Sequence, residues 1–144
     1  MNHKSRAMVL AIAASLVADC GGSVLTVRCN LGTDGTLFYV IRLEPSVRRA
    51  TLLYDAVYSD MYSLPERTGT LRVTDAQYDV TFPAYTKAMD DNRTDSGRIA
   101  TYPGTPDTAT LLPPVTFRIN RYTQQVSSAE WTGRCETLDA ESRL

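Results

Sequence analysis

The chain of 144 residues carries 15 basic and 16 acidic side chains, a net charge of −1, and 43% hydrophobic residues. That suffices for one domain with a real core, and it leaves no basic stripe to displace counterions from nucleic-acid phosphates. The single histidine is His3 and no glycine-rich phosphate loop occurs, so the common nucleophilic and nucleotide-binding machineries are excluded from the main body of the chain.

Lys4 and Arg6 open the chain, and Ala7 to Ala18 then runs without a charge until Asp19. A positive start, about a dozen apolar residues and a small closing residue match a secretory signal peptide, and the run is shorter than the ~20 residues a membrane span needs. Residues 1–18 are therefore expected to be a signal peptide, with 19–23 a flexible lead, 24–136 a single β domain and 137–144 a polar tail. Cys20, followed by Gly21-Gly22-Ser23, also fits the lipidated cysteine of a lipoprotein, although Asp19 is a poor residue to precede one. Loss of 1–18 removes Lys4, Arg6 and no acid, leaving 13 basic against 16 acidic side chains and no histidine.

In the body of the chain, Leu25, Val27 and Cys29 alternate with Thr26 and Arg28, the period of a half-buried strand. Asp34-Gly35 is a hairpin signal, and Leu37 to Leu43 is a second strand, ended by Glu44-Pro45-Ser46. Arg48-Arg49, the only adjacent basic pair, reads as a solvated edge. Residues 47–62 are ambiguous. Val47, Ala50, Tyr54, Val57, Tyr58 and Met61 fall at helical spacing, whereas the tyrosine, valine and threonine content favours strand.

Thr70 to Thr74 and Tyr78 to Phe82 alternate again. Residues 87–98 have few apolar side chains and read as an exposed loop, and Pro103-Gly104, Pro106 and Pro113-Pro114 mark a further irregular stretch. Val115 to Arg121 is a strand, and Ala129 to Cys135 is the last. Short strands between turn residues give a mainly β fold, a small antiparallel sandwich or barrel closed by a disulfide. The alternative is an α+β fold with one helix near 47–62.

An exported chain enters an oxidising compartment, where Cys29 on the first strand and Cys135 on the last are expected to pair. Cys20 is the competing partner for either. Trp131, four residues before Cys135 on this last strand, points to the same face, and with the cystine facing the core it is expected to pack near it. The other reading of Trp131 is an exposed ring that stacks on a sugar or a partner.

The early cysteine in a strand, the segment Ile119-Asn120-Arg121-Tyr122-Thr123 and the closing Gly133-Arg134-Cys135 resemble a group of small exported bacterial proteins with an I-x-R-x-T strand and a final G-x-C. The resemblance covers the two ends of the domain. It implies a periplasmic or secreted β domain with a terminal disulfide, and it implies no activity.

Asp90 to Gly97 has the acid content of a calcium loop, but counting from Asp90 places Asp95 where an EF-hand needs glycine and Thr101 where it needs glutamate, and Arg93 opposes a cation. No metal site and no cofactor is expected. Asp55, Asp60, Glu66, Asp75 and Asp79 are the acids from which a carboxylate-dependent hydrolase would draw its pair. Tyr54, Tyr58 and Tyr62 share a face in helix or strand alike, because a spacing of four suits both. They are the candidate surface for a protein or glycan partner, since tyrosine offers amphipathic contact at low entropy cost. The sequence thus points to a small exported, non-catalytic β domain that binds a protein or glycan or acts as an inhibitor-like module. A structural envelope component or lipoprotein is the alternative, with no nucleic acid and no membrane span involved.

Overall fold

The computed structural model describes residues 23–32, 35–56, 66–94 and 97–138. The proposed signal peptide and Cys20 lie outside them, as do Tyr58, Tyr62, Asp60 and the last six residues. Ten strands run β1 (Leu25–Leu31), β2 (Leu37–Glu44), β3 (Arg49–Asp55), β4 (Arg67–Val73), β5 (Gln77–Phe82), β6 (Tyr85–Thr86), β7 (Thr110–Leu112), β8 (Val115–Asn120), β9 (Gln125–Ser127) and β10 (Thr132–Leu138), with one short helix, α1 (Lys87–Asp91), between β6 and β7. Eight of them close an antiparallel barrel in the order β1-β10-β9-β8-β5-β4-β3-β2, and β6 pairs with β7 in a separate small sheet. The domain is therefore mainly β and a barrel.

The strand β3 settles the ambiguity at 47–62 for its first half. A single 3-10 turn at Pro45–Val47 leads into it, with Arg48 in the left-handed region at φ 50°. The register against β2 shifts between Val40 and Ile41, so that Ile41 faces Leu52 while Tyr39 faces Asp55. This bulge places Leu52 and Asp55, three residues apart, on the same inner side. Ala50 and Tyr54, which the helical spacing would put on one face, lie on opposite faces of this strand: Ala50 is paired with the inward Leu43, and Tyr54 with the outward Val40.

Alternation fills the barrel. Val27, Cys29 and Leu31 point inward from β1, and Tyr39, Ile41 and Leu43 from β2; Tyr78, Val80 and Phe82 do so from β5, and Phe117 and Ile119 from β8. Tyr39 meets Phe117 edge-on at 4.9 Å between ring centres, an arrangement aromatic quadrupoles favour. Two glycines permit the tight wall. A Cβ on Gly69 would overlap the carbonyl oxygen of Thr81, and one on Gly133 would overlap that of Asn30, so only glycine allows these strands to approach.

Closure is both hydrogen-bonded and covalent. Strands β1 and β10 pair from Thr26↔Leu138 to Leu31↔Gly133, and Cys29 stands directly opposite Cys135. The two are joined by a disulfide with their Cα atoms 3.9 Å apart. The bond lies inside the barrel, since the cysteines are 0% and 2% exposed. First and last strands are thus stapled together, the bond typical of an oxidising compartment.

One end of the barrel carries the tight β2–β3, β4–β5 and β8–β9 turns. The other carries the insertion from Pro83 to Pro114. Part of this insertion corrects the reading of 87–98 as an exposed loop: residues 87–91 form α1, capped by Thr86 Oγ1, which accepts from Met89 N. Asp90 is buried and gathers its surroundings. It accepts from Tyr85 Oη at 3.0 Å and from Ile99 N at 2.9 Å, and Arg93 Nη1 stands 3.6 Å away. These contacts give Asp90 an anchoring role in place of a calcium ligand's. Arg67, buried on β4, donates Nη2 to the carbonyls of Pro83 at 2.7 Å and Pro113 at 3.1 Å, tying both ends of the insertion to the barrel wall.

Candidate functional site

Trp131 is not in the core. Strand β10 begins one residue later at Thr132, so the ring sits above the barrel rim and is 41% exposed. Residue parity relates Gly133 to Cys135 within β10 and does not reach Trp131, which precedes the strand. Trp131 is held by its backbone: its N donates to Ser128 Oγ at 3.1 Å, and its carbonyl accepts from Ser128 N at 2.8 Å.

Below it lies a cavity of about 270 Å³ whose lining includes Tyr39, Pro113, Pro114, Phe117, Glu130 and Trp131. The sheet makes this slot. Strand β9 is only three residues long and pairs with β8 at Arg118 and Ile119 alone, so Val115–Phe117 have no strand neighbour on that side among the described residues. The slot therefore opens where the wall between β8 and β10 thins. Its floor is the inward pair Tyr39 and Phe117; its rim is Trp131 and the two prolines. Thr116, Ser128 and Glu130 also contribute to its lining. Chemically it offers flat apolar faces beside a few hydrogen-bonding groups, the usual make-up of a small binding site.

Of the three candidate tyrosines, Tyr54 alone lies within the described residues. It stands on the outer face of β3 and is half-buried, stacked on Phe38 at 4.9 Å and 20°. The guanidinium of Arg28 covers Phe38 at 4.0 Å from the ring centre, a cation–π contact. Arg28, Phe38 and Tyr54 thus form a ladder across β1, β2 and β3.

The described candidate carboxylates are dispersed. Asp55 and Arg67 are buried near the insertion end, where Glu66 is exposed. Asp75 lies in the β4–β5 turn at the opposite end, and Asp79 is engaged by Gln77 Nε2 at 2.8 Å and by Arg118 Nε at 3.9 Å. Arg49 likewise forks onto Glu44 at 2.8 and 2.9 Å, and this bond holds the Glu44 carboxyl below its ordinary pKa. Among described residues no helix is long and apolar enough to cross a membrane.

Sequence reasoning missed Tyr39, Pro113 and Pro114 as neighbours of Trp131. The only signal for them was the paired proline before a strand, which marks an irregular approach to the sheet and not a site. Set against protein-family models, curated proteins and solved structures, the chain matches none of them.

Proposed function

We propose that this protein is an exported, non-catalytic module that binds a glycan or protein partner through the mouth at Trp131. The observation that carries the reading is the exposed Trp131 above the Tyr39–Phe117 slot, at the rim of a barrel with a packed apolar core. An aromatic ring that is held by its backbone and left open to solvent provides rigid contact area at small entropic cost. The two prolines stiffen the facing lip, and Glu130, Ser128 and Thr116 supply the hydrogen bonds that sugar hydroxyls accept and donate. Tyr54, with Phe38 and Arg28, adds an aromatic face on the outside of the barrel. The Cys29–Cys135 bond accords with export, and cleavage near residue 18 or lipidation of Cys20 would then decide between a free and an anchored form.

Trp131 is the only tryptophan of the chain, so its emission reports on this mouth alone. Titration with chito-oligosaccharides and soluble peptidoglycan fragments is expected to give a saturable emission shift. Trp131→Ala is expected to abolish retention of the protein on the corresponding polysaccharide. Emission unmoved by every sugar, with Trp131→Ala retained on cell-envelope preparations as well as the parent chain, would refute the glycan reading and the Trp131 mouth together.

A further inference from the structure

The turn end of the barrel carries a second feature, separate from the Trp131 mouth. An open groove of about 740 Å³ there is bordered by three arginines, Arg48, Arg72 and Arg121, and by one acid, Asp75. The arginines are distant in sequence and are gathered around the end of β4. The Arg48 carbonyl accepts from Leu71 N at 3.0 Å, and Arg121 Nη1 donates to the Thr74 carbonyl at 2.6 Å. Arg72 lies on β4 between these two anchor points.

Arg121 is fixed. It is 4% exposed, its backbone N donates to the Ala76 carbonyl at 2.9 Å, and its guanidinium lies over the Tyr78 ring at 5.1 Å. Arg48 and Arg72 differ: both are exposed, and among the described residues neither has an ion pair or side-chain hydrogen bond. The acids nearest in register are already occupied. Asp79, opposite Arg72 on β5, is engaged by Gln77 and Arg118, and Glu44 is held in the fork of Arg49. Arg48 is also in the left-handed conformation at φ 50°, which few non-glycine residues adopt and which aims its side chain from the β2–β3 turn.

We infer that this groove is a binding site for a small oxyanion bearing carboxylate or phosphate groups, gripped by Arg48 and Arg72 over the fixed cation of Arg121. Guanidinium forks match the oxygens of both groups. Three cations against one acid give this groove a local positive field in a chain of net charge −1. Asp75, on the same rim, selects against excess negative charge on the outer part of the ligand.

The test is titration of the oxidised full-length chain with inorganic phosphate and with citrate at low ionic strength, followed by amide chemical shifts. Saturable shifts are expected at Arg48 and Leu71–Asp75, with the tighter anion identifying the phosphate or the carboxylate class. Arg72→Gln and Arg48→Gly are each expected to weaken binding about tenfold or more. Glycine suits the backbone of position 48, so that variant removes the side chain without risk to the fold. Asp75→Asn is expected to tighten binding. Arg134→Gln, on β10 and four strands away around the barrel, is expected to leave it unchanged. No saturation by either anion, or a loss in Arg134→Gln equal to that in Arg72→Gln, would overturn the site.

Discussion

Reduction of the Cys29–Cys135 bond is the most informative single perturbation of this fold. The bond joins residues 106 apart in sequence, so in the unfolded chain it closes a loop of about one hundred residues, worth ~4.7 kcal/mol in the chain-entropy account. Reduction leaves the sulfur atoms in place and creates no large cavity, so loss of the covalent constraint dominates the effect. The seam would persist through the β1–β10 pairing, from Thr26↔Leu138 to Leu31↔Gly133, and the reduced chain should still fold, but with much less stability. The assay is urea unfolding of a Cys20→Ser chain. One sample is kept oxidised; the other is reduced in denaturant and refolded under reductant, since both cysteines are shielded in the native barrel. A loss of about 4–5 kcal/mol is expected, equivalent to roughly 15–20 °C in Tm for a domain of this size. A reduced form within about 1 kcal/mol of the oxidised one would refute the reasoning, because loop closure in the unfolded state would then contribute almost nothing.

Gly69→Ala and Gly133→Ala should each cost about 3 kcal/mol or more in the same unfolding experiment, because the added methyl meets a neighbouring strand's backbone and not a side chain that can move. Asp90→Ala removes the group that receives Tyr85 and Ile99, and should cost about 3 kcal/mol and speed hydrogen exchange across 84–112 before the barrel strands are affected. Burial, reinforced by the hydrogen bond to Asp90, pushes the Tyr85 hydroxyl up to about 12 from an ordinary 10.0. Its folded-state pKa is raised, so its contribution is complete below pH 10 and is lost as pH rises towards 12. Tyr85→Phe should flatten the stability–pH curve in that window, and an unchanged slope would contradict the assignment. Arg67→Lys cannot hold the Pro83 and Pro113 carbonyls in the same planar fork, and should loosen the insertion by about 1–3 kcal/mol, measured by exchange at the same amides.

Much of the barrel was legible from alternation and turn residues. Strands β5 and β8 keep a two-residue burial period because one face packs inward and the other meets solvent, and β1 and β2 depart from it at the buried Thr26 and Val40. The pairing of Cys29 with Cys135 followed from strand neighbours in a closed meander. What was not legible has local physical causes. At β3 the apolar and aromatic side chains occupy both faces, Ala50 and Leu52 inside and Tyr54 stacked on Phe38 outside, so their spacing matched a helix although they share no face. Helix α1 is five residues long, too short to show amphipathic periodicity, and depends on the Thr86 cap and the buried Asp90. Trp131 lies one residue beyond the end of β10, where parity no longer fixes burial. Arg48, read as a solvated edge beside Arg49, joins Arg72 and Arg121 only when the turns meet at one end of the barrel, and no local pattern encodes that meeting.

The most direct test of the covalently closed barrel is the intact mass and thiol count of the protein, native and after reduction and alkylation, with a peptide map of the native form. The account predicts two thiols that react only after reduction, and a linked peptide pair containing Cys29 and Cys135. Both of these cysteines free in the native protein, or Cys20 linked to either one, would contradict it.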